Sequence, residues 1–267
     1  LGTISLARLV QCPLNAPLAD VMRQQPLSLL PDTPQEDVAK MFEKYDMHNC
    51  AVVNKRGQLL GRVTIDDVLD SIIEAHEREL KRAAGLDEKE DIFAPVTTTT
   101  AHRLPWLVVN LGTAIMASLV IALFQDDIQK LVALAVLMPI VASMGGNAGT
   151  QTMTVLVRGM ATGQVTKQNA FALLRKELTV GTLNGLALGF LVAFGTVFIY
   201  GDPWLGFVIF AATLANHLFA AISGHGIPMI LKALKYDPAI SSGVLVTMVT
   251  DVGGFFVFLG LAALLLL

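Results

Sequence analysis

Residues 246–256 read VTMVTDVGGFF, and the carboxylate of Asp251 lies among neighbours that suit lipid or a packed helix interior. On a helix beginning near Pro238, Asp251 stands thirteen residues in, about 20 Å along the axis at roughly 1.5 Å per residue. That depth is near the middle of a bilayer. A charge there costs at least ~2.5–3.5 kcal/mol, so such an acid serves a pathway or a partner. The plainer reading is a protonated acid hydrogen-bonded to a neighbouring helix. Thr247 and Thr250, about one turn earlier, favour the pathway by adding hydroxyls to the same face, and Gly253 and Gly254 let a second helix come close. The chemistry expected is cation binding, with Asp251 facing a second copy of itself.

Residues 138–152 read MPIVASMGGNAGTQT. Pro139, Gly145, Gly146 and Gly149 weaken regular helix, and irregular backbone at membrane depth is tolerated only where it is buried or lines a water-filled cavity. Freed carbonyls, with the side chains of Asn147, Thr150, Gln151 and Thr154, would offer oxygens to a hydrated ion; the alternative is a packing kink. No Gly-Lys-Ser/Thr follows, which excludes a phosphate-cradling loop. His217 and His225, eight apart, fall on nearly one helix face, as metal ligands, a proton relay or ordinary bundle histidines.

A third group is acidic. Residues 66–91 hold ten acids against four bases. Asp66, Asp70 and Glu74, spaced by four, stack on one face and repel. Such a face is either simply solvated or a divalent-cation sensor completed by a second subunit. Its position, joining a soluble part to the first apolar run, favours the sensor.

The elements that carry these groups follow from composition. The 267 residues are 54% hydrophobic and 15% charged, with mean hydropathy +0.60, against about 25% charge in a soluble domain. Uncharged runs cover 104–124, 131–157, 178–201, 203–231 and 238–267, the last broken only by Asp251. Each exceeds the roughly 20 residues that span a bilayer. Asp251 is then the single formal charge in five spans. With residues 1–103 cytosolic, the inner loops carry six cations (Arg158, Lys167, Arg175, Lys176, Lys232, Lys235) and the outer loops only Lys130. That asymmetry obeys the positive-inside rule and puts the C-terminus outside. Trp106 and Trp204 sit near span ends, where aromatic belts form. The net charge of −3 and the lack of a basic tract exclude nucleic acid as the main partner. No nucleophile–base pair or cofactor motif points to an enzyme. Cys12 and Cys50 lack a ligand pattern and read as reduced, cytosolic thiols.

In the soluble part, Gly2-Thr3-Ile4-Ser5-Leu6 recurs in pattern as Gly61-Arg62-Val63-Thr64-Ile65, 59 residues on. Between the copies, Thr33 caps a helix over about 34–45, CAVVN and LLGRVT form strands around the turn NKRG, and a helix starts near Asp67. Two such units resemble a CBS-domain pair whose first copy is almost entirely missing. Residues 1–12 then end the first repeat, 13–65 form the second, 66–95 an acidic connecting helix, 96–103 a polar linker and 104–267 the membrane domain. In CBS domains the glycine–hydroxyl–aspartate stretch borders an adenine nucleotide. Thr64 and Asp67 match it, with ATP as the implied ligand; the alternative is a hydroxyl that merely caps a helix.

The repeat, the acidic connector, the five spans, MPIVASMGGNAGTQT followed by Arg158-Gly159, and TDVGGFF together resemble the MgtE family of magnesium channels. The resemblance implies a multi-domain membrane protein: a partial α/β CBS pair, a plug helix and an all-α five-helix pore domain, homodimeric in the inner membrane. It implies that Asp251 holds hydrated Mg²⁺ on the two-fold axis, lined by Gly145, Gly146, Asn147, Thr150, Thr154 and Thr247. It implies regulatory Mg²⁺ that keeps the pore closed, with Asp67 and Asp70 on family metal positions; Asp66, Glu74 and Glu79 join them as candidates from the acidic helix. Departures occur at residues 74–79, Glu-Ala-His-Glu-Arg-Glu, where a cation stands among the acids, and in the missing amino-terminal helical domain of the family. The rival expectations are transport of another divalent cation, Co²⁺ or Mn²⁺, and a membrane-anchored nucleotide sensor without transport.

Overall fold

The computed structural model describes residues 2–24, 26–87, 90–166 and 168–267, with backbone only at 24, 36, 76, 79, 83 and 239–241. Glu88, Lys89, Lys167 and the side chain of Glu79, all counted above, therefore lie outside the described residues. The chain divides into two compact units, Leu1–Glu79 and Leu80–Leu267.

The first unit opens with β1 (Gly2–Thr3), α1 (Leu6–Gln11), α2 (Leu18–Val21) and β2 (Arg23–Gln24), β1 and β2 pairing antiparallel. Then come β3 (Ser28–Leu29), α3 (Gln35–Tyr45), β4 (Asn49–Val53), β5 (Leu59–Thr64) and α4 (Ile65–Ala83). β3 runs parallel to β4, and β4 antiparallel to β5 with Cys50 opposite Val63. The β4–β5 turn is the one expected: Asn54 Oδ1 accepts the Arg56 and Gln58 N–H groups, and Gly57 takes the positive φ of 75°. Leu29, Phe42, Cys50 and Val68 form the core. Burial pushes the Cys50 thiol up, and its Sγ donates to Leu27 O at 3.4 Å. One expectation needs correcting. Thr33 does not cap α3; Pro34 holds that position, and Thr33 Oγ1 instead accepts the Leu30 N–H in the preceding turn. Of the apolar row on α4, Val68 is buried, whereas Leu69, Ile73 and Leu80 are exposed.

In the second unit the membrane helices are α5 (Val96–Leu123), α7 (Ala133–Ala161), α8 (Ala170–Tyr200), α9 (Pro203–Ala233) and α10 (Pro238–Leu265), with a short α6 (Gln125–Lys130) after α5. Among the described residues, five helices are long and apolar enough to cross a membrane. Residues 96–103, expected as a polar linker, form the first two turns of α5, and the connecting helix stops at Ala83, where Gly85 turns the chain with φ 70°. Lys81 Nζ donates to Glu90 O, Arg103 pairs with the Glu90 carboxylate, and Arg82 pairs with Asp237 at 3.1 Å.

α9 is the centre of the bundle. In its most apolar stretch 56% of residues are buried, against 6% in α5. α8 approaches it through Gly181, Gly185 and Gly189: a Cβ at Gly181 would lie 3.0 Å from His217 O, and one at Gly189 3.0 Å from Phe210 Cδ2. Small residues at four-residue spacing let membrane helices pack backbone to backbone. At one end of the bundle, Leu134, Leu137 and Val141 of α7 meet Leu205, Val208 and Ile209 of α9 and Phe258 and Leu259 of α10 in a wholly apolar core. Farther along, the contact between the same three helices turns polar.

Candidate functional site

α7 and α10 run antiparallel, and glycines set their register. A Cβ on Gly149 would lie 2.5 Å from Val246 Cγ1, and one on Gly146 would lie 3.9 Å from Thr247 Cγ2 and 4.0 Å from Thr250 Oγ1. Continued by one step, this register sets Asp251 level with Gly145 and Gly146. Asp251 is half-buried, and among the described residues it has neither a hydrogen bond nor an ion pair. Thr247, one turn earlier, is likewise half-buried. Thr250 is not on that face; it is fully buried, turned toward Gly149 and Gly146.

α7 is continuous through the glycines, so the irregular backbone and freed carbonyls expected there are absent from residues 145–149. Pro139 costs the helix one N–H, and the glycines serve close packing instead. The polar side chains expected on this helix do fall on an open face: Asn147, Thr150, Gln151 and Thr154 are exposed in the single chain. Their hydroxyls are oriented by the helix itself. Thr150 Oγ1 donates to Gly146 O at 2.9 Å, Thr154 Oγ1 to Thr150 O at 2.8 Å, and Thr247 Oγ1 to Val244 O at 3.0 Å. With each hydroxyl proton engaged, the oxygen lone pairs face outward as acceptors. An array of acceptors on α7, packed against the helix that carries Asp251, suits the outward-pointing protons of a hydrated cation.

Three polar groups were not singled out in the sequence. Asn216 of α9 is fully buried; its Nδ2 donates to Val141 O at 2.7 Å, and its Oδ1 has no partner among the described residues. Leaving such an acceptor unpaired costs about 1–3 kcal/mol. α8 begins at Ala170, so Glu177 stands on this helix just ahead of its uncharged run, and Thr152 Oγ1 of α7 donates to Glu177 Oε2 at 3.0 Å. Thr213, 1% exposed, also has no partner for Oγ1. The two histidines are both buried and do not form a common metal site. His217 Nδ1 lies 2.8 Å from Thr213 O, so it carries the proton, while His225 Nδ1 has no partner.

In the first unit, Asp67 Oδ2 accepts from the Thr64 N–H at 2.9 Å and from Thr64 Oγ1 at 2.7 Å. The Thr64 N–H, then its hydroxyl, hold the Asp67 carboxyl below its usual range, with Arg62 adding to the effect. Thr64 and Asp67 therefore close the start of α4 on each other. Neither lines the cleft of about 1130 Å³ bordered by Thr3, Ser5, Arg8, Arg23 and Arg62. Asp66 and Asp70 are exposed, and Glu74 pairs with Arg78 at 3.7 Å. Among the described residues, no three His, Cys, Asp or Glu side chains gather as a metal site within one chain.

Fold and site define a multi-pass membrane protein with a CBS domain and a polar face shared by two spanning helices. Residues 18–74 match the CBS domain model, and residues 138–261 match the family model described as MgtE, divalent cation transporter. The chain thus carries an MgtE-family membrane region. It is 32% identical over 263 residues, 98% of its length, to the magnesium transporter MgtE of Bacillus subtilis. It is also 32% identical over 268 residues, 99% of its length, to the magnesium transporter MgtE of Thermus thermophilus. The chain spans 58% and 59% of the length of these two relatives.

Proposed function

We propose that this protein carries Mg²⁺ through the membrane along the α7–α10 face, inward down the electrochemical gradient. The reading rests above all on Asp251, a carboxylate without a partner among the described residues, level with Gly145 and Gly146 and on a helix packed against the outward-facing acceptors of α7. The magnesium transporters it resembles support Mg²⁺ as the cargo. In a homodimer two Asp251 side chains meet at the axis and repel unless a cation lies between them. Mg²⁺ gives up water reluctantly, so Asn147, Thr150, Thr154 and Thr247 hold its waters rather than the metal. A divalent ion gains roughly 4.6 kcal/mol per 100 mV, twice the single-charge value, and needs no coupled ion.

Regulation follows from the acidic helix. Asp66, Asp70 and Glu74 fit a hydrated divalent ion, which takes one or two carboxylates and keeps its other waters. Asp67 can offer such an ion its Oδ1, since both bonds from Thr64 end on Oδ2. Cytosolic Mg²⁺ on these groups screens two like-charged connectors and favours closure; its loss frees the repulsion and opens the pore. The cytosolic placement of the first unit, the outward C-terminus and ATP as a CBS ligand belong to the same proposal.

The deciding experiment is Mg²⁺ flux into proteoliposomes. Wild-type protein is expected to conduct, and Asp251→Ala to abolish flux with the protein still folded. Equal flux in the two refutes the Asp251 pathway. Co²⁺ or Mn²⁺ flux without Mg²⁺ flux identifies another cation, and no flux at all favours a nucleotide sensor.

A further inference from the structure

Asn216 raises a question that packing alone does not answer. The residue is fully buried at the centre of the bundle, and one end of its amide has no hydrogen-bond partner among the described residues. A hydrocarbon side chain in this place would carry no such penalty. The contacts of the amide suggest what it does. Its Nδ2 is tied to α7 through Val141 O at 2.7 Å. Since a main-chain carbonyl only accepts, this bond fixes which end of the amide is nitrogen and leaves Oδ1 as the orphan. The amide also lies against two glycines on different helices. A Cβ on Gly145 of α7 would run into Asn216 Nδ2, Cγ and Oδ1, and one on Gly254 of α10 would lie 2.6 Å from Nδ2 and 2.9 Å from Cγ. One flat amide thus separates α7 from α10, one turn beyond Asp251 and adjoining Gly146. His217, the next residue, faces the opposite helix at Gly185, so α9 is held from both sides.

We propose that Asn216 is a positioning residue for ion passage: its amide, clamped between Gly145 and Gly254, sets the separation of the helices that carry Asn147 and Asp251, and hence the width open to the hydrated cation. The inference rests on the proposed transport function, but the spacing claim stands on geometry alone. A planar amide hydrogen-bonded to one helix resists both compression and rotation, whereas an aliphatic side chain there is free to change rotamer. Selection by hydrated size needs that stiffness.

Two measurements on the full chain test it. The first reads spacing without transport. Gly146→Cys and Thr247→Cys, with Cys12 and Cys50 replaced by alanine, join positions across α7 and α10 whose atoms lie within disulfide reach. The cross-linking rate, followed by mass spectrometry of the linked peptides, is expected to change at least fivefold on adding Asn216→Ala or Asn216→Asp. An unchanged rate overturns the proposal. The second reads passage in proteoliposomes without these cysteines. Asn216→Leu, which is bulkier than asparagine, is expected to alter the Mg²⁺/Ca²⁺ flux ratio at least fivefold in protein that still melts cooperatively. Gly254→Ala is expected to reduce Mg²⁺ flux tenfold or more, and Asn216→Ala to restore at least half of it by vacating the space. A wild-type flux ratio in Asn216→Leu, or a Gly254→Ala defect equal in both backgrounds, overturns the proposal. If wild-type vesicles carry no Mg²⁺, the transport reading falls, and the cross-linking still decides whether Asn216 sets the spacing.

Discussion

Replacing Gly149 by alanine puts a methyl group where α7 and α10 are closest. The new Cβ would stand 2.5 Å from Val246 Cγ1, with Thr250 Cγ2 at 3.6 Å and Ala220 Cα at 3.7 Å. Carbon atoms in contact settle at about 3.5–4.0 Å, so the helices must part by roughly 1 Å or Val246 must leave its rotamer. Val246 is 0% exposed and has no room to do so. Overpacking of this kind costs about 1–3 kcal/mol. Alanine also helps a helix by up to about 1 kcal/mol over glycine, and Gly112 of α5 isolates that gain because nothing lies within 4 Å of its added Cβ. The expected result is therefore comparative: Gly149→Ala is less stable than Gly112→Ala by about 1–3 kcal/mol. Unfolding in mixed detergent and SDS micelles, followed by the fluorescence of Trp106 and Trp204, measures the difference. Val246→Ala should recover most of it in the Gly149→Ala background, because it removes the methyl that clashes. Equal stability of the two alanine variants, or no recovery, refutes the close α7–α10 approach on which the site depends.

Thr152→Val removes the donor to the Glu177 carboxylate. A bond to a charged group contributes about 1.5–3 kcal/mol, and partial exposure puts this one at the low end; Glu177→Gln, which can still accept, should lose less in the same unfolding assay. The Asp67 carboxyl is held low by Thr64, so it stabilises the start of α4 above its unfolded pKa of about 4 and that contribution disappears as pH falls through the lower folded value. Protection factors at residues 64–68, corrected for the intrinsic exchange rate at each pH, should fall on acidification in wild type, and Asp67→Asn should show less of this dependence. Replacing Asp66, Asp70 and Glu74 together by their amides should leave flux less sensitive to internal Mg²⁺; unchanged inhibition would remove the screening mechanism.

Much of this architecture was legible in the sequence because lipid imposes simple rules. A spanning segment must be long, apolar and helical, so five runs of uncharged residues mark five helices to within a few positions at most ends. The exceptions are instructive. Helices extend past the apolar run where polar residues still favour helix, as Val96–Arg103 do at the start of α5 and Ala170–Glu177 at the start of α8. The polar side chains of Asn147, Thr150 and Thr154 stood out among apolar neighbours, although only the regular helix puts them on one open face, and the turn chemistry of Asn54 and Gly57 located a hairpin. Three-dimensional packing decided the rest. The glycines at 145, 146 and 149 read as breaks in a helix, yet they are the places where α7 comes nearest its neighbours, because neighbouring helices hold the backbone regular and the missing side chains admit Asn216 and Val246. Asn216 itself carries no signal along the chain. An amide between Leu214 and Phe219 has meaning only once two glycines, seventy-one residues before it and thirty-eight after it, are brought to its two faces. Composition and spacing determine which segments enter the membrane and which side chains share a face. The identity of the residue that holds two helices apart depends on contacts between distant positions, and these exist only in the folded bundle.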